Sequence, residues 1–303
     1  MSTPNGIAFA TVGWRDRPVQ IEYQWIAPER VNAPLVVFLH EGLGSLAMWK
    51  DFPQGLCNAG GFRGLVYSRP GYGRSTPRAQ DDAWGVDFMH QQAQEVLPAF
   101  LQAVGVAEPI WLLGHSDGAS IALLYASFFQ RGVRGLVVLA PHIFVEDVTV
   151  QGIENARRAY QATDLKDRLA HYHADPDSAF WGWNRIWLDP AFRTWSIAAE
   201  VAAIGAPVLA VQGLADEYGT LAQIRGIAER VHGTRLLELA HCAHSPHRDR
   251  REEVIAQTVQ FVADATQAVE TPPGPSQAAG DGANVPTCAR IHVYPDREFR
   301  PHD

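Results

Sequence analysis

The chain has 303 residues, 47% hydrophobic and 19% charged, and a formal net charge of −8. That size and apolar fraction suit one α/β domain with an insertion, or two small domains. The negative balance argues against nucleic acid or an anionic membrane as partner.

Met1-Ser-Thr-Pro-Asn-Gly6 contains no basic leader, and no apolar run approaches the roughly 18 residues that span a bilayer. A soluble cytoplasmic protein is expected. Cys57, Cys242 and Cys288 are too few and too scattered for a disulfide framework or a zinc site.

Residues 7–12 and 19–25 read as strands, because Val19, Ile21, Tyr23 and Trp25 alternate with Gln20, Glu22 and Gln24. The polar stretch Arg15-Asp-Arg-Pro18 between them predicts an antiparallel hairpin at a sheet edge. Residues 35–39 are continuously apolar, as in a strand covered on both faces, and run into His40-Glu-Gly-Leu-Gly-Ser45. A helix follows over 49–59, a short strand over 64–67, and a turn-rich loop over 69–75. The pattern over 88–104 is helical, with Pro98 expected to kink or break it.

Residues 110–113 form an apolar run that stops at Gly114-His-Ser-Asp-Gly118, and 119–129 read as a buried helix. Further strands are expected at 135–140, 207–212 and 235–239, with helices over 221–231 and 251–265. Alternation of strands and helices implies a mostly parallel sheet of about eight strands, flanked by helices.

Residues 141–203 break that rhythm. They lack a convincing strand and are rich in aromatics, among them Trp181, Trp183, Trp187, Phe192 and Trp195. This segment reads as a helical cap over the carboxyl ends of the strands. Residues 1–140 and 204–265 form the core, and 266–303 a Pro/Gly-rich tail. Within that tail 291–294 could add one short strand, to which no function is assigned.

A small-residue strand–turn–helix around Ser116 would expose its Oγ on a tight corner, making it the candidate nucleophile. A serine needs a base, and the base an orienting acid. Asp216 follows the strand at 207–212 and is preferred to adjacent Glu217. His244 follows the last strand and is preferred to His241, then His247. Pro246 interrupts any helix that would align these three histidines on a metal. The Asp117 N–H and the Gly42 N–H, or alternatively that of Leu43, are candidate oxyanion donors. Glu41 and the Asp117 side chain are expected to turn away from the oxyanion, and His115 has no assigned role.

Leu39-His-Glu-Gly, the Ser68-Arg-Pro-Gly-Tyr-Gly-Arg-Ser75 loop, Gly-His-Ser116-Asp-Gly, Gln-Gly-x-x-Asp216 and His244-Ser-Pro occur in that order. Together they resemble the α/β-hydrolase superfamily, and within it capped bacterial esterases and meta-cleavage C–C hydrolases. The resemblance covers about residues 5–265. It implies the α/β-hydrolase fold, a Ser116–His244–Asp216 triad, a cap over the site and no cofactor. Two departures stand out. The chain has His-Glu-Gly where relatives have His-Gly, and Ser68 where many have Asp, so a supporting carboxylate is missing there.

A serine esterase or lactonase acting on a small apolar or aromatic molecule is the expected function. The alternatives are a C–C bond hydrolase or thioesterase, or, in another class, a ligand receptor or an acyltransferase or perhydrolase. Glu146 and Asp147 offer no basic clamp for a CoA phosphate. Of the aromatics, Trp183 and Trp187 are expected to face the pocket, with His142 beside them; His40 is expected to brace its loop rather than react, and is also a pocket candidate. A homodimer stays open.

Overall fold

The computed structural model describes residues 6–79, 82, 84–270 and 290–291. Two antiparallel strands, β1 (Ile7–Trp14) and β2 (Arg17–Ile26), open the chain. Arg15 and Asp16 both have positive φ. That is the two-residue turn whose twist matches the flanking strands. Arg17 and Pro18 thus belong to β2 rather than to the turn.

Next come β3 (Leu35–Leu39), α1 (Phe52–Gly60), β4 (Arg63–Tyr67), α2 (Phe88–Gln91) and α3 (Leu97–Ala103). Between α2 and α3 lies a π-helical turn, Gln92–Val96. The helix is therefore widened ahead of Pro98 instead of broken at it. Proline has no N–H for the Gln94 carbonyl and its ring crowds that group, and a wider turn relieves both.

The central unit is β5 (Ile110–His115) and α4 (Asp117–Phe128), followed by β6 (Val133–Leu139). The chain then leaves the sheet for α5 (Asp147–Ala162), α6 (Leu165–Ala170), α7 (Pro176–Trp187) and α8 (Ala198–Val201). A single antiparallel bridge, Phe144 to Ser196, ties the two ends of this insertion together. The sheet resumes with β7 (Val208–Gly213), α9 (Ala222–Ala228), β8 (Arg235–Leu239), α10 (Pro246–Asp249) and α11 (Arg251–Glu270). A two-residue strand, β9 (Arg290–Ile291), pairs with β8. Helix α11 continues past residue 265. Residues 271–289 and 292–303, most of the expected tail, lie outside the described residues.

The sheet order is β1-β2-β4-β3-β5-β6-β7-β8-β9; β2 is antiparallel to both of its neighbours, β1 and β4, and the other pairings are parallel. Eight strands form the expected sheet, and β9 is added at its edge. Alternate residues of each central strand enter two different cores. Val37 and Leu39 pack on the face covered by α4, while Val36 and Phe38 pack on the face that receives Phe52 of α1 and Phe261 of α11. Burial of both faces is why these strands read as unbroken apolar runs. Among the described residues, no helix is long and apolar enough to cross a membrane.

Candidate active site

All the parallel strands point their carboxyl ends the same way, so the loops after β3, β5, β7 and β8 meet at one edge. Ser116 is the hinge between β5 and α4, at φ 52° and ψ −121°. A non-glycine residue there is strained by about 1–3 kcal/mol and persists only where its surroundings enforce it. The Ser116 N–H donates to Leu139 of β6 at 2.9 Å. Gly118 does the rest, since a Cβ there would collide with the Leu39 and His40 carbonyls at the end of β3.

The three residues picked from the sequence come together. Ser116 Oγ lies 3.0 Å from His244 Nε2, and His244 Nδ1 lies 2.8 Å from Asp216 Oδ1. Asp216 Oδ1 also accepts from the Tyr218 N–H at 2.8 Å, and Oδ2 from Gln212 Nε2 at 3.1 Å. Burial alone would raise the Asp216 carboxyl, but the hydrogen bond and charge of His244 outweigh it and hold it below its usual range. The carboxylate is thus ionised and fixed, with its acceptor turned to Nδ1, which leaves Nε2 free to take a proton.

The competing residues take other places. Glu217 accepts from the His244 main-chain N–H at 3.2 Å instead of meeting the imidazole. His247 is buried against Trp49 and Phe52, with ring centroids at 4.9 and 5.4 Å. His241 is exposed on a turn with φ 52°.

The loop after β3 is pinned at successive carbonyls. His40 Nδ1 donates to the Glu41 carbonyl at 2.7 Å, Arg69 Nη2 donates to the same oxygen at 2.8 Å, and His173 Nε2 donates to the Leu43 carbonyl at 3.0 Å. His40 Nε2 accepts from the Arg69 N–H at 3.0 Å. Both His40 nitrogens are therefore spent on the loop, and this residue braces the backbone rather than lining a pocket. The Gly42 and Leu43 N–H groups donate to no acceptor among the described residues. The Asp117 N–H begins a helix and has no preceding turn to receive it.

Trp183 and Trp187 both reach this region from α7. Trp183 lies so close over Gly42 that a Cβ there would collide with its indole nitrogen. Trp187 Nε1 donates to Asp117 Oδ1 at 3.2 Å. His142 packs edge-on to Trp187 at 5.0 Å and lies 5.8 Å from His244, ring to ring. Burial, then the charge of His244, pushes the His142 imidazole down to about 3. It is a neutral ring near neutral pH. The Asp117 carboxyl is fully buried and does turn to Trp187, with burial raising it to about 6 against the pull of Arg69.

Arg69, His173 and Glu22 were not singled out in the sequence. Glu22, on β2, is only 3% exposed, and its Oε1 accepts from Ser68 Oγ at 2.5 Å. The carboxylate missing at position 68 is thus supplied from a neighbouring strand. Its only trace in the sequence is a charged residue at a position that the alternation 19-21-23 assigns to the outer face.

The family described as alpha/beta hydrolase fold matches residues 34–175. The chain has the α/β-hydrolase fold and is similar to that family over these residues. Among curated relatives, it is 27% identical to 2-succinyl-6-hydroxy-2,4-cyclohexadiene-1-carboxylate synthase of Klebsiella pneumoniae over 258 residues, covering 76% of this chain and 94% of that one. Among solved structures, the enol-lactonase of Burkholderia xenovorans has a TM-score of 0.66 at 21% identity, covering 84% of this chain and all of the other. A thermophilic esterase of Thermogutta terrifontis also scores 0.66, at 14% identity, covering 86% and 98%.

Proposed function

We propose that this enzyme is a serine hydrolase that opens a carboxylic ester or lactone of a small apolar or aromatic molecule through an acyl-enzyme. The observation that carries this reading is the unbroken line from Ser116 Oγ through His244 to Asp216, at 3.0 and 2.8 Å. Ser116 Oγ attacks the substrate carbonyl while His244 Nε2 takes its proton and Asp216 stabilises the imidazolium. The Asp117 N–H and that of Gly42 or Leu43 hold the oxyanion, each worth a few kcal/mol in such sites. His244 then protonates the leaving oxygen, and a water repeats the attack to release the acid.

The apolar substrate class is supported by Trp183 and Trp187, which come from the insertion and bound the site. Ser116 is only 7% exposed beneath them, which suits a small substrate. In this reading residues 141–203 act as a cap. A second reading keeps the same three residues and has them cleave a carbon–carbon bond. A fluorophosphonate probe tests the nucleophile: wild type is labelled and Ser116→Ala is not. Equal labelling of both would remove Ser116 from its role. Turnover of p-nitrophenyl esters, aromatic lactones and ring-fission diketones side by side separates the two readings.

A further inference from the structure

His115 closes β5 directly before the nucleophile and is 1% exposed. Its Nε2 donates to the main-chain carbonyl of His244 at 2.7 Å. One dipeptide therefore grips the base twice: Ser116 meets its ring, and His115 holds its backbone. The other His115 nitrogen, Nδ1, lies 3.5 Å from Glu41 Oε2.

Glu41 belongs to the same loop as Gly42. Its second carboxylate oxygen lies 3.5 Å from Arg248 Nη2, four residues beyond His244. Burial alone would raise this carboxyl, but His115, His247 and Arg248 together hold it well below its usual range. Gly44 makes room for it, since a Cβ there would collide with the Glu41 carboxylate. His247 and Trp49 cover the His115 ring, at 4.8 and 6.5 Å between ring centres.

We propose that Glu41 and His115 are a positioning pair that fixes the main chain of His244 and ties it to the Gly42 loop. Base and oxyanion donors then keep one relative placement although they sit on loops of different strands. The pair touches no reacting atom. Its value is geometric, because a misplacement of about 1 Å in such a site can cost ~100-fold in rate. The inference rests on the serine-hydrolase reading.

The test uses three variants of the full chain: His115→Leu, which removes the donor; His115→Gln, which restores one; and Glu41→Gln, which removes the charge. Fluorophosphonate labelling rate, kcat and KM for an ester, and thermal midpoint are measured for each. His115→Leu should slow labelling and lower kcat about tenfold or more, with KM within about twofold. His115→Gln should recover most of the loss. Glu41→Gln should lower kcat in wild type and add nothing in the His115→Leu background, as coupled residues do.

Wild-type kcat in His115→Leu, equal loss in the Leu and Gln variants, or multiplying effects of the two sites would overturn the proposal. If His115→Leu does not fold, Glu41→Gln decides alone: lower kcat at unchanged KM supports the pair, and unchanged kcat removes it. A wild type that the probe never labels would remove the hydrolase reading and the proposal with it. Labelled wild type with unaffected variants removes only the proposal.

Discussion

Trp187 donates its indole N–H to the Asp117 carboxylate at 3.2 Å, so the insertion is hydrogen-bonded to the residue that follows Ser116. The other oxygen, Asp117 Oδ2, is buried without a hydrogen-bond partner among the described residues. Trp187→Phe keeps an aromatic ring and deletes the one hydrogen bond that the Asp117 side chain accepts among the described residues. Leaving that carboxyl unsatisfied should cost about 1–3 kcal/mol of stability. A urea unfolding midpoint equal to wild type would show that the bond contributes nothing.

Asp117 should also shape the pH dependence of stability. Burial, opposed by Arg69, raises its carboxyl from 3.8 to about 6, so the folded chain holds this proton more tightly than the unfolded one. Its contribution is full in acid below the ordinary value and is lost as pH rises through about 6. Asp117→Asn removes this titration while leaving Trp187 an acceptor. Relative to wild type, the variant should gain about 1–3 kcal/mol between roughly pH 4 and pH 7.5. Unfolding curves showing the same difference at both ends would contradict the assignment.

Asp216 is expected to behave in the opposite sense. Its carboxyl is held low, so its stabilising contribution is present at neutral pH and is lost as pH falls through the depressed value. For catalysis, Asp216→Asn should leave the fold intact and lower kcat by about 10³–10⁴, because an amide no longer selects the productive imidazole tautomer. Steady-state rates within about tenfold of wild type would assign the orienting role elsewhere.

The contact between Gly42 and Trp183 joins the insertion to the loop after β3. In Gly42→Ala the added methyl would collide with the Trp183 indole nitrogen, so one of the two must move. Probe labelling should slow in Gly42→Ala and partly recover when Trp183→Leu is added, which makes space. No recovery in the double variant would mean that the loop is sensitive to the methyl itself.

The three residues that meet at 3.0 and 2.8 Å were legible because each sits within a few positions of a strand end, and strands buried on both faces announce themselves. Ser116, Asp216 and His244 each follow such a run. Contacts made sideways between loops were not legible. Glu41 meets His115 across 74 positions, Glu22 stands in for an acid absent at Ser68, and the Phe144–Ser196 bridge that closes the insertion is a single residue pair with no pattern around it. Pro98 predicts a kink or a break because proline removes one hydrogen bond, and the chain absorbs that loss in the π-turn before it. Aromatic content marked the insertion, but only packing shows which rings reach the site: Trp183 and Trp187 do, while Phe192 and Trp195 stack on each other at 5.1 Å.

The most direct measurement is to trap the covalent intermediate. Wild-type protein is mixed with p-nitrophenyl acetate, quenched in acid within the first turnover, digested and mapped by mass spectrometry. The account predicts one acetyl group, carried by the peptide that contains Ser116, and none in Ser116→Ala. Rapid turnover with no acylated peptide, or an acetyl group on another residue that persists in Ser116→Ala, would contradict it.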